Sequence, residues 1–401
     1  MRRTGDLKFI QELNRSIILD AIRQLGPISR SDLAQKNNLS PTTVTAAVNE
    51  LIQEGLVCED GFGTSKGGRK PILVRFSPDS QFLIGISIRS STITIAEMNL
   101  EAKVRRKQTY AAHGYYGEQV IDFISDITTD FIENTLFYER CIGISIISQG
   151  IVNSSKGVIL LNTKMKMKDI QIKKILEERF KKNVWLDNDT NAYILAEKQF
   201  GDYQKYQNIV YITIGDGVGA GILLNGDIYR GHNGSAGELG HTSIDRGGIQ
   251  CECGNKGCLE NYISWPAIFS RIISAITNGK ESIMEKMVKG QLTDISPAIF
   301  RKAVLQEDEL ALTIMNETIH YLSTSLVNLV NLCNPHAIIL GGEVVYQNPV
   351  YIEKVKQLVN KYTIHQDYEI CSTSLGEEFE MIGAASVLLQ DKFQFSFTTT
   401  S

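Results

Sequence analysis

The chain lacks any apolar run approaching the ~20 residues that a membrane-spanning helix requires. Its N-terminus, MRRTGDLKFI, has no apolar segment behind the arginines of the kind a secretion signal carries. Both absences read as a cytoplasmic protein with no membrane partner. Regularly paired cysteines are missing too. Cys58, Cys141, Cys333 and Cys371 are scattered among apolar neighbours and read as buried thiols, which argues against a disulfide framework. Neither sign of charge is in large excess, with a net of −4. Residues 1–80 carry 11 Lys and Arg against 9 Asp and Glu, whereas the remainder carries 30 against 36. A slightly basic small part on an acidic body assigns any polyanion to the N-terminal part. A chain of 401 residues exceeds one ordinary core, so two or three domains are expected.

What is present is concentrated in one stretch. Cys251, Cys253 and Cys258 stand within eight residues, shortly after His241. Three thiolates and an imidazole are the right number and type of ligands for a closed tetrahedral site, so Zn2+ is the expected cofactor. Gly254 and Gly257 let one short loop turn tightly enough to supply the sulfurs. Glu238 and Glu260 bracket the cluster. Glu252 reads as a surface charge and Asp245 as structural.

The first eighty residues spell a different device. Leu13, Ile17, Ile18, Ala21, Ile22 and Leu25 recur at helical spacing up to Gly26-Pro27. Ser29 caps a short second helix, with Asp32 at the capping-box position. Ser40-Pro41 opens a third helix that ends at Gly55, and Val44, Val48, Leu51 and Ile52 form its inward face. Two strands around the glycine-rich tip GFGTSKGGRK follow. Helix-turn-helix plus hairpin is a winged helix, and double-stranded DNA is its expected partner. Ser40, Thr42, Thr43, Thr45 and Asn49 point outward, small enough to approach phosphates or thymine methyls. Lys66, Arg69 and Lys70 on the wing can reach phosphates or a narrow minor groove. The alternative is a helical protein-interaction module with a solvated basic loop. Ser77 to Gln81 reads as a short polar linker. Three strands follow, then strands and helices in alternation, which imply an α/β body of two lobes with a cleft between them.

Several segments together resemble the ROK family of repressors and sugar kinases. They are Glu238, Gly240 and His241; the run Cys251-x-Cys253-Gly254-x-x-Gly257-Cys258-x-Glu260; the turn with Gly215, Gly217, Gly219 and Gly221; and Asp187-Asn188-Asp189-Thr190-Asn191-Ala192. The resemblance covers essentially the whole chain, and the leading winged helix is a mark of the repressor branch. It implies a winged helix at 1–78 and a two-lobed actin-like ATPase (sugar-kinase) fold, with a small lobe at 79–189 plus 381–401 and a large zinc-bearing lobe at 190–380. It also implies a sugar effector held by Gln149, Gly150, Asn162, Asn188, Asp189, Glu238, His241 and Glu260. His241 would then serve both metal and sugar, one ring nitrogen each.

In the family's kinases the residue at the position of Asp189 is a general base, and the first turn reads roughly Gly-x-Asp-x-Gly-Gly-Thr. Here that run is Gly85-Ile86-Ser87-Ile88-Arg89-Ser90-Ser91-Thr92, without the acid and without the paired glycines. Asp216 stands where the kinases usually carry Thr, and a carboxylate there repels phosphate. The expectation is a non-catalytic, sugar-responsive repressor, working as a homodimer or homotetramer. The alternatives are an active sugar kinase with a DNA-binding appendage, and a module whose winged helix contacts a protein.

Overall fold

A computed structural model describes residues 7–64 and 70–393. It forms two compact units, residues 1–187 with 380–401 and residues 188–379. The first unit begins with α1 (Leu7–Leu25), β1 (Ile28–Ser29), α2 (Arg30–Lys36), α3 (Pro41–Gln53), β2 (Val57–Phe62) and β3 (Ile72–Phe76). The caps act as expected: Ser29 accepts the Asp32 N–H and Ser40 accepts the Thr43 N–H, each at 3.1 Å. Ile18, Ile22, Val44, Val48 and Leu51 are fully buried in the small core. Leu13 and Leu25 are exposed, and Leu19 takes a core place in their stead. Ile52 is only half-buried.

The rest of that unit is a five-stranded sheet in the order β11-β7-β4-β5-β6. Its strands are β4 (Phe82–Ile88), β5 (Thr92–Asn99), β6 (Val104–Ala111), β7 (Cys141–Ser148) and, after a small separate sheet, β11 (Val184–Asn188), which runs one residue into the second unit. α4 (Glu118–Glu133) and α5 (Ile172–Phe180) cover one face, where Ile84, Ile86 and Ile88 meet Val120, Ile124 and Leu176. The small sheet consists of β8 (Ile151–Asn153), β9 (Val158–Asn162) and β10 (Met167–Ile170). Asn162 closes β9, in register with Met167.

The second unit opens with α6 (Asp189–Phe200) and then repeats the sheet plan. β12 (Ile209–Ile214), β13 (Val218–Leu224) and β14 (Asp227–Ile228) form an antiparallel trio. α7 (Glu260–Ile263), α8 (Trp265–Thr277), α9 (Ile283–Met287), α10 (Pro297–Leu305) and α11 (Glu309–Cys333) follow. β15 (Ala337–Gly341) and, after α12 (Pro349–Tyr362), β16 (Glu369–Ser372) then extend the trio in parallel. The order β16-β15-β12-β13-β14 matches β11-β7-β4-β5-β6 strand for strand. The main core lies on one face of this second sheet, where Ile212 and Leu340 meet Ile272, Phe300, Leu326 and Val355. Burying each such side chain contributes roughly 1.5–3 kcal/mol. On the other face Tyr193 of α6 packs on Tyr211, with ring centroids 5.9 Å apart. Buried Glu197 of α6 is satisfied by Thr373 Oγ1 at 2.6 Å, Ser374 N at 2.8 Å and Ser374 Oγ at 2.6 Å. Its carboxyl is nonetheless held above the usual range, because burial outweighs these donors.

The last described element is α13 (Phe379–Phe393), which lies on the first unit's sheet. A side chain at Gly85 would come within 3.1 Å of the Ala384 Cβ, so small residues on both elements permit the close packing. All seven cysteines are free thiols. Cys141 is buried as expected, whereas Cys58, Cys333 and Cys371 are only partly so. Among the described residues no helix is long and apolar enough to cross a membrane.

Candidate functional site

α3 presents Ser40, Thr42, Thr45 and Asn49 to solvent, with Thr43 half-buried beside them. The hydroxyls are already ordered: Ser40 Oγ lies 2.8 Å from both Thr42 Oγ1 and Thr43 Oγ1, and Thr45 Oγ1 donates to the Pro41 carbonyl at 2.7 Å. Lys70 is exposed just before β3. Lys66 and Arg69 lie outside the described residues.

In the second unit the sequence motifs pack around β13. Asn188 caps α6, accepting the Thr190 and Asn191 amides at 2.9 and 3.2 Å. Asp189 is buried in the first helical turn, where the helix dipole favours its negative charge. Gly217 in the turn between β12 and β13 and Gly219 at the start of β13 sit close against neighbouring side chains. A Cβ at Gly217 would stand 2.8 Å from Glu260 Oε2, and one at Gly219 would stand 2.9 Å from Thr190 Oγ1. Glu260 Oε2 also accepts the Val218 N–H at 2.9 Å. From the other side the Glu238–His241 loop rests on β13, where a Cβ at Gly240 would meet the Val218 carbonyl oxygen at 2.2 Å. Burial, reinforced by Glu260 and opposed by His241, holds Glu238 above the usual carboxylate range. Glu260 and the Glu238–His241 loop thus flank β13, and Asn188 and Asp189 begin the helix that packs on the same strand through Thr190.

His241, Cys251, Cys253 and Cys258 offer ligand atoms all within 4.8 Å of one another. Cys253 Sγ and Cys258 Sγ are 3.6 Å apart, and Cys251 Sγ is 3.7 Å from His241 Nδ1. Bonds of ~2.3 Å to a tetrahedral zinc put sulfurs about 3.8 Å apart, so the donor set fits such a cation. The loop is braced for this. Ser243 pairs with Cys258, the Ile244 N–H donates to the Gly257 carbonyl, and the Leu259 N–H donates to the Thr242 carbonyl. The Asn255 N–H holds the Cys253 thiol below its ordinary range. Burial, helped by Cys253 and Cys251, pushes Cys258 up to about 12. A bound divalent cation reverses that second effect, since thiolate is the ligand form. Glu252 is exposed. Asp245 is structural as expected, accepting the Gly247 N–H at 3.0 Å and the Tyr262 hydroxyl at 3.4 Å.

The remaining candidates sit in the first unit. Asn162 is 2 % exposed and its amide braces the Gln149 carbonyl at 3.1 Å. Gly150 packs on β9, with the Leu161 carbonyl oxygen 2.2 Å from where a Cβ would stand. Gln149 Oε1 reaches back to the turn after β4, accepting the Ser90 N–H at 3.1 Å. In the same turn the Arg89 N–H donates to the Thr92 carbonyl at 2.9 Å, and the Arg89 guanidinium pairs with Glu380 of α13 at 2.8 Å. Sequence reasoning found the substitutions in this turn but not these partners. No local signal joins Arg89 to a glutamate 291 residues later.

The chain is similar to known proteins over nearly its whole length. The winged helix-turn-helix DNA-binding profile matches residues 14–57, and the ROK family profile matches residues 83–391. A putative xylose repressor of Caldicellulosiruptor sp. strain Rt8B.4 is 30% identical over 396 residues, covering 98% of this chain and 99% of that protein. Among solved structures, a ROK family transcriptional regulator described as a homolog of the Escherichia coli MLC protein superposes with a TM-score of 0.83 at 28% identity. That match covers 97% of this chain and 98% of the other. A ROK family glucokinase from Streptomyces griseus shares the fold, with a TM-score of 0.69 at 24% identity over 76% of this chain and 98% of its own. From its first helix to its last, the chain belongs to the ROK family, with a winged helix-turn-helix ahead of a sugar-kinase-type body.

Proposed function

We propose that this chain is a sugar-responsive transcriptional repressor that uses no ATP. The winged helix (1–78) reads operator DNA, with Ser40, Thr42, Thr43, Thr45 and Asn49 in the major groove and Lys66, Arg69 and Lys70 on the backbone or minor groove. The body, divided at 79–189 plus 381–401 and 190–380, binds a free sugar. Asn188, Asp189, Glu238, His241 and Glu260 supply hydrogen-bonding groups for its hydroxyls, with further contacts from Gln149, Gly150 and Asn162. Cys251, Cys253, Cys258 and His241 hold Zn2+, whose contribution is structural. With Nδ1 turned to the cysteines, His241 offers Nε2 to a sugar hydroxyl. Two heads of a homodimer, or of a homotetramer, read adjacent half-sites. Sugar shifts the heads away from the DNA-competent arrangement through a coupling of roughly 1–3 kcal/mol or more.

One observation carries the loss of ATP use. In the turn after β4, where the resemblance places the phosphate cradle of the family's kinases, the Arg89 and Ser90 amides are engaged by the Thr92 carbonyl and Gln149 Oε1. Phosphoryl transfer depends on positioning and charge neutralisation, and here the turn also lacks the metal-binding acid. The second reading, an active sugar kinase, rests on the retained carboxylate of Asp189. A thermal-shift panel of xylose, glucose and N-acetylglucosamine, with and without Mg-ATP, separates the two. A single sugar should raise the midpoint in proportion to the logarithm of its concentration, without ADP release. Sugar-dependent ADP release that vanishes in Asp189→Asn would restore the kinase reading, and no stabilisation by any sugar would count against both.

A further inference from the structure

The segment Ser77 to Gln81, which reads in the sequence as a linker, is tied down along its whole length. On the side of the winged helix, the Ser77 N–H donates to the Leu56 carbonyl at 2.9 Å, and Gln81 Nε2 donates to the Glu54 carbonyl at 3.3 Å. On the side of the β5–β6 turn, the Leu100 N–H donates to the Pro78 carbonyl at 3.0 Å. Asp79 is gripped there by two side chains: Asn99 Nδ2 donates to Asp79 Oδ1 at 2.9 Å, and Arg105 Nη2 donates to it at 2.8 Å. The same Arg105 nitrogen also reaches the Asp79 carbonyl at 3.2 Å. Within the segment, Ser80 Oγ donates to the Ser77 carbonyl at 2.8 Å.

The grip is pre-organised. Asn99 is 3 % exposed, and its Oδ1 is fixed by the Glu101 and Lys103 amides at 3.0 Å each. Arg105 is steered from the other side by Glu97 at 3.7 Å. Arg105 and then Asn99 hold the Asp79 carboxyl below its usual range, as a charge-assisted pairing does. At the other end of the contact, Glu54 caps the C-terminus of α3, pairs with Arg15 of α1 and lends its charge to Lys392 of α13. The recognition helix is thus joined to the sheet of its own unit by the linker. A free five-residue tether would let the head wander by up to ~17 Å.

We infer that Asp79, Asn99 and Arg105 are positioning residues for operator recognition: they clasp the linker so that the winged helix and the β4–β7 sheet move as one body. This rests on the repressor reading above. It assigns the sugar signal to movement of whole first units, and not to loosening of a tethered head. A fixed head must also be sensitive to half-site spacing, since two inserted base pairs rotate one half-site by ~70°.

The test uses the full-length protein and operator DNA selected from a random pool. Two readouts are compared in wild type and in Asp79→Ala/Arg105→Ala. Wild type should lose at least tenfold in affinity when two base pairs are inserted between half-sites. The variant should bind the native spacing several-fold more weakly and lose less than threefold on insertion. Independently of DNA, hydrogen exchange at the Ser77 and Leu100 amides should be slow in wild type and at least tenfold faster in the variant. Wild-type spacing dependence and exchange rates retained in the variant would overturn the clasp. If the double variant fails to fold, Asp79→Asn, which keeps an acceptor oxygen and loses the charge, should show both effects at intermediate size. If wild type binds no DNA, the repressor reading fails, and the exchange rates still decide the clasp.

Discussion

Cys258→Ser protein is expected to purify without bound zinc and to bind its sugar about 100-fold more weakly than the parent, a loss of roughly 2.7 kcal/mol. Cys258 is fully buried, and its Sγ lies 3.6 Å from that of Cys253. A neutral hydroxyl at that place is a poor zinc ligand, and three donors no longer close a tetrahedron. Only one residue separates Cys258 from Glu260, and the backbone pairing around it fixes His241. Loss of the cation therefore frees both flanks of β13 at once. The winged helix has its own core, so the variant should still bind operator DNA and should be deaf to sugar. Metal content and calorimetric sugar titration check this. Full sugar affinity in zinc-free protein would confine the cation to a stabilising role with no part in recognition.

Thr45→Glu should abolish operator binding, by 100-fold or more, while leaving thermal stability and sugar affinity at parental values. Thr45 is exposed on α3, one turn from Thr42 and one turn from Asn49. Val44, Val48 and Leu51 bury the opposite face. Glutamate is a good helix former, and loss of the Thr45 bond to the Pro41 carbonyl costs the helix little. With α3 reading the major groove as proposed, the new carboxylate would face phosphates, and the displaced contacts are worth roughly 1–3 kcal/mol for each base that a side chain reads. Gel-shift titration at two salt concentrations measures the loss. Parental affinity in the variant would mean that another surface reads the DNA.

Ser29, Ser40-Pro41 and the buried trio of α3 announced the winged helix because caps and periodicity act over a few residues. The cysteine cluster was legible for the same reason: a metal loop carries its ligands close together in sequence. The repeated sheet plan was only hinted at by alternating strands and helices, since strand order depends on pairings between distant segments. The grip of Glu260 on Val218, of Gln149 on Ser90 and of Arg89 on Glu380 left no local trace. The linker was legible as a linker from SPDSQ, whereas its hydrogen bonds to Asn99 and Arg105 depend on residues twenty and more positions away and were not.

In the proposed mechanism sugar alone, without phosphoryl transfer, changes the grip on DNA. Fluorescence anisotropy of labelled operator, titrated with the sugar that stabilises the fold and with ATP omitted, tests it most directly. The expected result is release at saturating sugar, with operator affinity reduced roughly 5- to 150-fold. Release that requires ATP, or DNA binding that no sugar alters, would contradict it.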